Sequence, residues 1–422
     1  MPTARARLGA LALLLWLAGA LPAVAAGPIT VTTGRDLPDS DLTNDECIVG
    51  PSGDNLCSLR AAIQTANRTP EEDTIILSAA TYELTVTGSN EDDSATGDLD
   101  INTPIVITSD SGTSQGNFAT TVIDAKKLKD RIFDVHPGGS LTLERVTLEN
   151  GKTAKDDSDP GAPGTVSGGC LRSEGDVSLE GVFFFTCSST GAGGGMSVIG
   201  GNATLSGAIF SACRAKTEGG GIALGPLGGA LLDRTTLFGG KAGTGGGIAA
   251  SGPLTLKNVT IQGNKAKVGG GLATLGSAAT TINNATFATN GTSNLLRQGS
   301  GAVTVSNSIL AYVKTDCVGA IDSAGGNLVD DASCGFANTN DQQDVDPLLF
   351  PLNFYAITDA NSPVPDPSPL VPTLALDPDS PAIDQALDAS CEPTDARGQL
   401  RDDVVDVGVA VCDAGSFEFF QP

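Results

Sequence analysis

Aromatic and basic residues are scarce in this chain of 422 residues, in which Phe, Tyr and Trp make up 4% and a single histidine occurs. Its 24 Lys and Arg residues are outnumbered by 49 Asp and Glu residues, so the formal net charge is −25. A chain this acidic argues against nucleic acid as the main partner, because a nucleic-acid-binding surface must neutralise phosphates. The chain also lacks GxSxG, HExxH and Walker-type segments, which excludes the enzyme classes that depend on them.

Long apolar runs are missing after the N-terminus. No segment beyond residue 25 has the roughly 20 apolar residues that a membrane-spanning helix requires. Residues 1–25 are predicted to be a signal peptide, because two arginines precede an apolar stretch at 11–21 and an Ala-Val-Ala cleavage pattern. The mature protein is therefore expected to be exported and to have no transmembrane segment.

Glycine and cysteine are the informative residues that are present. The 54 glycines follow no collagen-like G-X-Y period, and the 40% of hydrophobic residues is enough for a core. Nine cysteines in an exported chain predict disulfides. Close spacing in the sequence suggests three of the pairs: Cys47–Cys57, Cys317–Cys334 and Cys391–Cys412.

A glycine triplet followed by an apolar residue recurs four times, with first glycines Gly193, Gly219, Gly245 and Gly269. The steps between them are 26, 26 and 24 residues. Short apolar strands and Gly, Asn or Ser turns fill each step, without helical periodicity. This pattern predicts an all-β, single-stranded, right-handed parallel β-helix of roughly ten coils. Leucine-rich repeats would need a Leu/Asn frame, and propeller blades would need longer units.

Equivalent residues of successive coils are expected to stack about 4.8 Å apart, in columns along the solenoid. The column that follows each triplet is expected to point inward: Met196, Ile222, Ile248 and Leu272. Cys170 is assigned to this column and is predicted to be a buried free thiol. Cys187 and Cys213 fall on adjacent rungs of another column. Their spacing predicts a disulfide, with two unpaired stacked thiols as the alternative.

Residues 57–67, CSLRAAIQTAN, show the one clear helical pattern. Ser58 is the expected N-cap, and the apolar face of the helix is expected to cover the first coil. The segment CSLRAAI resembles the motif that names the CSLREA domain, with Ala61 where the motif has Glu. The segments GDLDI, TVIDA and RIFDVHPGGSLTLERVTLENG resemble the first coils of such proteins.

The C-terminal part is similar to the choice-of-anchor Q domain in the segments DCVGAIDSAGGNLV, DVDPLL, DSPAID, TDARGQLR and CDAGSFEF. The resemblance implies a right-handed parallel β-helix of pectate-lyase-like shape on a protein exported by a bacterium. It implies no particular activity.

Together with the repeat, this resemblance divides the mature chain into three parts. They are an N-terminal cap at 27–100, a β-helix at 101–345 and an acidic, disulfide-closed C-terminal cap at 346–422. Relatives often carry a sorting anchor after the final FEF-like motif, whereas here only FQP follows. An extracellular or cell-surface location is expected, with secretion favoured over covalent anchoring.

Several enzymes share the β-helix fold, but their catalytic groups are not evident in this sequence. A glycoside hydrolase needs two or three carboxylates around the scissile bond, whereas residues 210–270 contain only Glu218 and Asp233 as acids. The lone His136 has no obvious carboxylate partner and is interpreted as a structural turn residue. The acidic segment 91–100 lacks the DxDxDG spacing of calcium loops, so a solvated loop is favoured. No catalytic residue or metal ligand is assigned, and Ca²⁺ is the one cofactor left open.

Basic residues recur one position after the column of Cys187 and Cys213. The residues concerned are Arg214, Lys241 and Lys265, with Lys152 as the equivalent in an earlier unit, and Lys216 and Lys267 two positions further on. Solvated turn residues are one interpretation. The other is a linear basic stripe that follows an extracellular anionic polymer, such as an acidic glycan.

The sequence therefore favours a secreted or cell-surface protein without enzymatic activity, engaged in adhesion or contact with glycans. A polysaccharide lyase or glycoside hydrolase is the alternative, and a structural spacer is a third interpretation. Three or more ionisable side chains converging in a groove on one sheet would favour an enzyme. A flat face lined with Ser, Thr and Asn would favour binding. The ligand and the oligomeric state do not follow from the sequence.

Overall fold

A computed structural model describes most of the chain, and its regular structure consists almost entirely of short β-strands. The described residues are 27–50, 55–89, 91–110, 120–153, 166–355, 371–401 and 412–419. They form four sheets, and the strands within each sheet pair in parallel. The predicted signal peptide at 1–25 lies outside the described residues. None of the helices in the described residues has the length and apolar character that crossing a membrane requires.

The chain winds through sheets A, B and C in turn and then re-enters sheet A one rung higher. Sheet A has eleven strands: Ile29–Thr30, Asp73–Leu77, Pro104–Ser109, Ser140–Glu144, Asp176–Glu180, Asn202–Ser206, Gly229–Asp233, Leu254–Lys257, Thr280–Asn283, Val303–Ser306 and Asp322–Gly325. Sheet B has ten strands: Thr81–Glu83, Val122–Asp124, Thr147–Glu149, Phe183–Phe185, Ile209–Ser211, Thr236–Phe238, Thr260–Gln262, Thr286–Ala288, Ile309–Ala311 and Leu328–Val329.

Sheets C and D complete the coils. Sheet C has nine strands: Leu99–Ile101, Phe133–Val135, Leu171–Ser173, Met196–Val198, Ile222–Leu224, Ile248–Ala250, Leu272–Thr274, Leu295–Arg297 and Cys317–Val318. Sheet D, between sheets B and C, has four strands: Ser188–Ser189, Arg214–Ala215, Lys241–Thr244 and Lys265–Val268. The predicted parallel β-helix is therefore confirmed. Its sheets begin before residue 101, inside the segment predicted as an N-terminal cap.

The inward column predicted after the glycine triplets is confirmed. Ile222 pairs with Ile248, and Ile248 pairs with Leu272 in the next coil. All three side chains are buried in one continuous apolar core. Burying such a side chain contributes about 1.5–3 kcal/mol, so repetition of this position in every coil provides much of the stability.

The glycine triplets are required by the turn that leads into sheet C. The first glycine has a positive φ in each unit, as at Gly193 (+63°) and Gly219 (+63°), and side-chain-bearing residues disfavour this conformation. The second glycine lies against the next coil. A Cβ on Gly194 would stand 2.3 Å from the carbonyl oxygen of Gly220. Any larger residue would therefore push successive coils apart.

The predicted N-terminal helix is confirmed as Leu59–Ala66. Its N-cap is Ser58, whose Oγ accepts a hydrogen bond from the backbone N–H of Ala61 at 3.0 Å. The apolar side of the helix, including Ile63, packs into the same core as the first coils. The helix thus covers apolar surface at the beginning of the solenoid.

Three of the four predicted disulfides are confirmed, and the fourth is wrong. The confirmed bonds are Cys47–Cys57, Cys317–Cys334 and Cys391–Cys412. The predicted Cys187–Cys213 bond does not form; Cys187 is bonded to Cys170, and Cys213 is the buried free thiol. Four disulfides are typical of a protein that folds in an oxidising compartment.

The error comes from the register of Cys170. Leu171, not Cys170, pairs with Met196, so Cys170 occupies the position of a third glycine. That position faces across the turn toward Cys187, and the two Cα atoms are 5.5 Å apart. Cys187 and Cys213 do lie on adjacent rungs, but stacked side chains point in the same direction. A disulfide needs Cβ atoms that converge to about 4 Å.

The C-terminal region covers the outer face of sheet B. Thr236 Oγ1 donates to the carbonyl oxygen of Pro372 at 2.6 Å, and the N–H of Ser416 donates to Thr286 Oγ1 at 2.9 Å. These contacts join residues more than 100 positions apart and lie on coils well inside the solenoid. The region predicted as a cap at 346–422 therefore packs along the side of the β-helix over several coils.

The free thiol of Cys213 provides a test of this disulfide pattern. Burial raises the pKa of Cys213 to about 12, and its residue is 1% exposed. The native protein is therefore expected to resist iodoacetamide at neutral pH, and the unfolded, unreduced protein is expected to take up one label at Cys213. Mass spectrometry of unreduced peptides checks both results. A peptide pair linked through Cys187 and Cys213 would contradict the assignment.

Candidate functional site

The basic residues predicted as a stripe form a column along sheet D. Strand pairing places Arg214 beside Lys241 and Lys241 beside Lys265. Ser188 pairs with Arg214 on one side and with Lys152 on the other. We call these five residues the cationic column. With about 4.8 Å per rung, it extends for about 19 Å along the solenoid.

The charges of the cationic column are exposed and carry no counter-charge. All four of its basic side chains are solvent-exposed, and within the described part of the chain none forms an ion pair. Of the two acids nearby in sequence, Glu218 forms no ion pair within the described residues, and Asp233 lies on sheet A, 3.5 Å from Arg234. Repulsion between solvated neighbours is at most a few tenths of a kcal/mol per pair. The column is therefore an uncompensated line of positive charge.

Lys216 and Lys267 widen this line at two rungs. They lie two residues after Arg214 and Lys265, and therefore on the same side of an extended chain, and both are exposed. In the intervening coil the same position is Gly243. These two lysines are thus not on adjacent rungs.

Two further lysines share the position of the column but were missed in the sequence. Each basic member of the column lies three residues after a sheet B strand. Lys127 and Lys314 occupy this position in other coils and are exposed, although Lys127 is paired with Glu83 at 2.6 Å. The sequence search located the basic residues relative to the cysteine column. Locating them relative to the end of each sheet B strand would also have identified Lys127 and Lys314.

The outer face of sheet A carries a column of residues that is lined mostly with hydroxyl groups. One register column on this face reads Thr142, Ser178, Thr204, Leu231, Thr255, Thr281 and Thr304. Its members are partly or fully exposed. This is the kind of face that we expected of a binding protein.

Ionisable side chains converge at the first coils of sheet C. Asp100 pairs with Asp134, and Asp134 pairs with Arg172, so the three stack on one side of the sheet. Arg172 Nη1 donates to both carboxylate oxygens of Asp134, at 2.9 and 2.8 Å. Arg131 Nη1 donates to Asp98 at 3.0 Å and to Asp134 at 2.8 Å. We call these five residues the ionisable cluster.

The ionisable cluster has the composition of a catalytic site but not its accessibility. None of its residues is more than 7% exposed. Burial is the main reason that the pKa of Asp98 is raised, and the charge of Arg131 opposes that effect. Two guanidinium groups already occupy Asp98 and Asp134, so a sugar could reach these two carboxylates only by displacing the ion pairs. The arrangement is that of a buried ionic network.

The expectation that His136 has no carboxylate partner is wrong. His136 Nε2 lies 2.9 Å from Asp100 Oδ1. Burial raises the pKa of Asp100 to about 6. For His136, burial lowers the pKa, but the hydrogen bond to Asp100 and the nearby carboxylates outweigh it and raise the pKa overall. The pair therefore retains a proton that the unfolded chain would release.

Asp100 and His136, together with Asp92, also form the metal-ligand candidate that the sequence missed. Their ligand atoms all lie within 4.8 Å of one another, so the three could hold a metal ion. They were missed because Asp100 and His136 are 36 residues apart. The sequence did contain an indication. The segments GDLDI and RIFDVHPGG resemble successive coils, and stacking these coils brings Asp100 close to His136.

Comparison of the chain with protein-family models, with curated proteins and with solved structures gives no match. The functional interpretation therefore depends on the surfaces described above.

The His136–Asp100 pair predicts a specific dependence of stability on pH. Both pKa values are raised in the folded protein, so the pair stabilises the fold at low pH. Its contribution falls from about pH 4 to 6 for Asp100 and above about pH 6.5 for His136. His136→Gln should flatten the profile of Tm above pH 6.5, and Asp100→Asn should flatten it between pH 4 and 6. Thermal unfolding with a chelator present, to exclude bound metal, measures both.

Asp379→Asn is the control for this experiment, because Asp379 is exposed. That variant should keep the wild-type profile. A His136→Gln profile with an unchanged slope above pH 6.5 would contradict the prediction.

Proposed function

We propose that this protein is an exported, non-enzymatic binding protein whose cationic column contacts an extracellular anionic polymer, such as an acidic glycan of a cell surface. The observation that carries the proposal is the register of Arg214, Lys241 and Lys265 on consecutive rungs. A linear array of exposed positive charge suits a linear array of negative charge. The resemblance to exported bacterial β-helix proteins supports the proposed location.

The charge distribution explains why the column would be the contact. The chain as a whole has a net charge of −25 and should repel polyanions. The attraction is therefore confined to one strip, and the polymer would have to lie along the solenoid axis to meet successive cations. The acidic remainder of the surface would oppose other orientations of the polymer.

Binding is favoured over catalysis by the accessibility of the two charged sites. The four basic side chains of the cationic column are exposed, whereas the ionisable cluster at the first coils of sheet C is buried and internally paired. A lyase or hydrolase needs its acid and base within hydrogen-bond reach of the substrate. The hydroxyl-lined column on sheet A supports a binding role as well, because hydroxyl groups can bond to sugars without catalysing cleavage.

The proposal predicts weaker binding when the column loses charge. Lys241→Ala, Lys265→Ala and the double variant should elute from an immobilised polyuronate column at lower salt than the wild type. The double variant should elute at lower salt than either single variant, because it loses two charges of the column. The slope of log affinity against log salt should also decrease, because fewer counterions are released. Salt-gradient chromatography and calorimetric titration measure these quantities.

Lys257→Ala is the matched control, since it removes one positive charge from sheet A and leaves the column intact. Lys257 is paired with Glu392 at 3.2 Å, and both residues of this pair are partly exposed. Equal elution of the wild type and the double variant would overturn the proposal. Release of unsaturated uronate from the polymer during the same experiments would favour the lyase alternative.

A further inference from the structure

A second polar feature is a buried ladder that begins at Asn264, next to Lys265 of the cationic column, and runs into the last coils. Side-chain amides of Asn264, Asn290 and Asn294 form a buried ladder in which each Nδ2 donates to the next residue's Oδ1, at 3.1 and 2.8 Å. Asn294 Nδ2 in turn donates to Asp316 Oδ1. Asp316 is 0% exposed and ends the ladder with a carboxyl group.

The second oxygen of Asp316 has no donor. Asp316 Oδ2 and Asp330 Oδ1 are both buried atoms without a hydrogen-bond partner. The other oxygen of Asp330 accepts the N–H of Tyr312 at 2.6 Å. In the described residues neither carboxyl group forms an ion pair with Lys, Arg or His. Two carboxylates that face one another in a buried site require either a proton or a cation between them.

We propose that Asp316 and Asp330 bind a divalent, oxygen-preferring cation such as Ca²⁺ at the C-terminal end of the solenoid. The site offers the two unpartnered carboxylate oxygens, Asp316 Oδ2 and Asp330 Oδ1. The nearby sulfurs of Cys317 and Cys334 are bonded to each other and cannot act as thiolate ligands. An oxygen-only donor set, completed by water, selects Ca²⁺ over softer metals.

The position of the site indicates what the cation would do. Asp316 precedes the last strand of sheet C, and Asp330 follows the last strand of sheet B. A cation shared by the two carboxyl groups would tie the last strands of sheets B and C to each other. It would also neutralise the like charges of the two carboxylates, which repel each other in a buried site.

Thermal unfolding of the full mature protein, after chelation and dialysis, tests the site with CaCl₂ as the probe. The wild type should show a saturable rise in Tm as Ca²⁺ is added. Asp330→Asn should remove the rise, and the exposed Asp379→Asn should retain it. Calorimetric titration should show one Ca²⁺ fewer per molecule for Asp330→Asn than for the wild type. A Tm of the wild type that Ca²⁺ leaves unchanged would overturn the proposal and indicate a shared proton.

Asp316→Asn is a second variant that distinguishes a loss of Ca²⁺ binding from a failure to fold. An amide at this position can accept from Asn294 and donate to Asp330, which replaces the bridging cation with a hydrogen bond. This variant should fold without Ca²⁺, as judged by circular dichroism, and its Tm should not respond to Ca²⁺. A Ca²⁺ response equal to that of the wild type would place the binding elsewhere and overturn the assignment.

Discussion

Backbone hydrogen bonds between successive coils hold each residue directly above its counterpart in the previous coil, and the other features of this protein depend on that alignment. Because one strand spacing is about 4.8 Å, the chemistry of a residue is repeated at contact distance along the whole solenoid. Ile222, Ile248 and Leu272 become a continuous core in this way. Arg214, Lys241 and Lys265 become a continuous line of charge by the same geometry.

The alignment has different consequences for charge outside and inside the solenoid. On sheet D, water screens the stacked cations, so a column of one sign is tolerated. At the first coils of sheet C the outward side chains are buried. There Asp134 stacks on Arg172, so neighbouring residues have opposite charges. Further along the same column the residues are small and uncharged, as at Ser197 and Ala223. A buried column of one sign would have to change its protonation or bind an ion.

The interior column between sheets B and D shows how one position changes its chemistry along the solenoid. It begins with Cys187 and Cys213, passes through Gly240 and continues as Asn264 and Asn290. The sulfur atoms fill space without needing donors, whereas the asparagines satisfy the backbone and one another. At the far end of this column the asparagines lead to Asp316, whose Oδ2 has no hydrogen-bond donor.

The repeat determined the architecture from the sequence alone, because triplets of glycine recur at nearly constant intervals and so predict which residues share a column. The same regularity predicted the positions of Arg214, Lys241 and Lys265. The helix at 59–66 was also predictable, since its N-cap and apolar face are local signals.

Tertiary structure alone decided the contacts that cross the interior or join coils of unequal length. The disulfide partner of Cys170 depends on which side chains face each other across a turn. An error of one residue in the predicted register is enough to assign the wrong partner. His136 and Asp100 belong to coils whose strands are offset by 34 residues, outside the regular period. The packing of the C-terminal region on sheet B carries no periodic signal at all. Such contacts depend on where the chain passes in three dimensions, and residue spacing in the sequence does not encode that path.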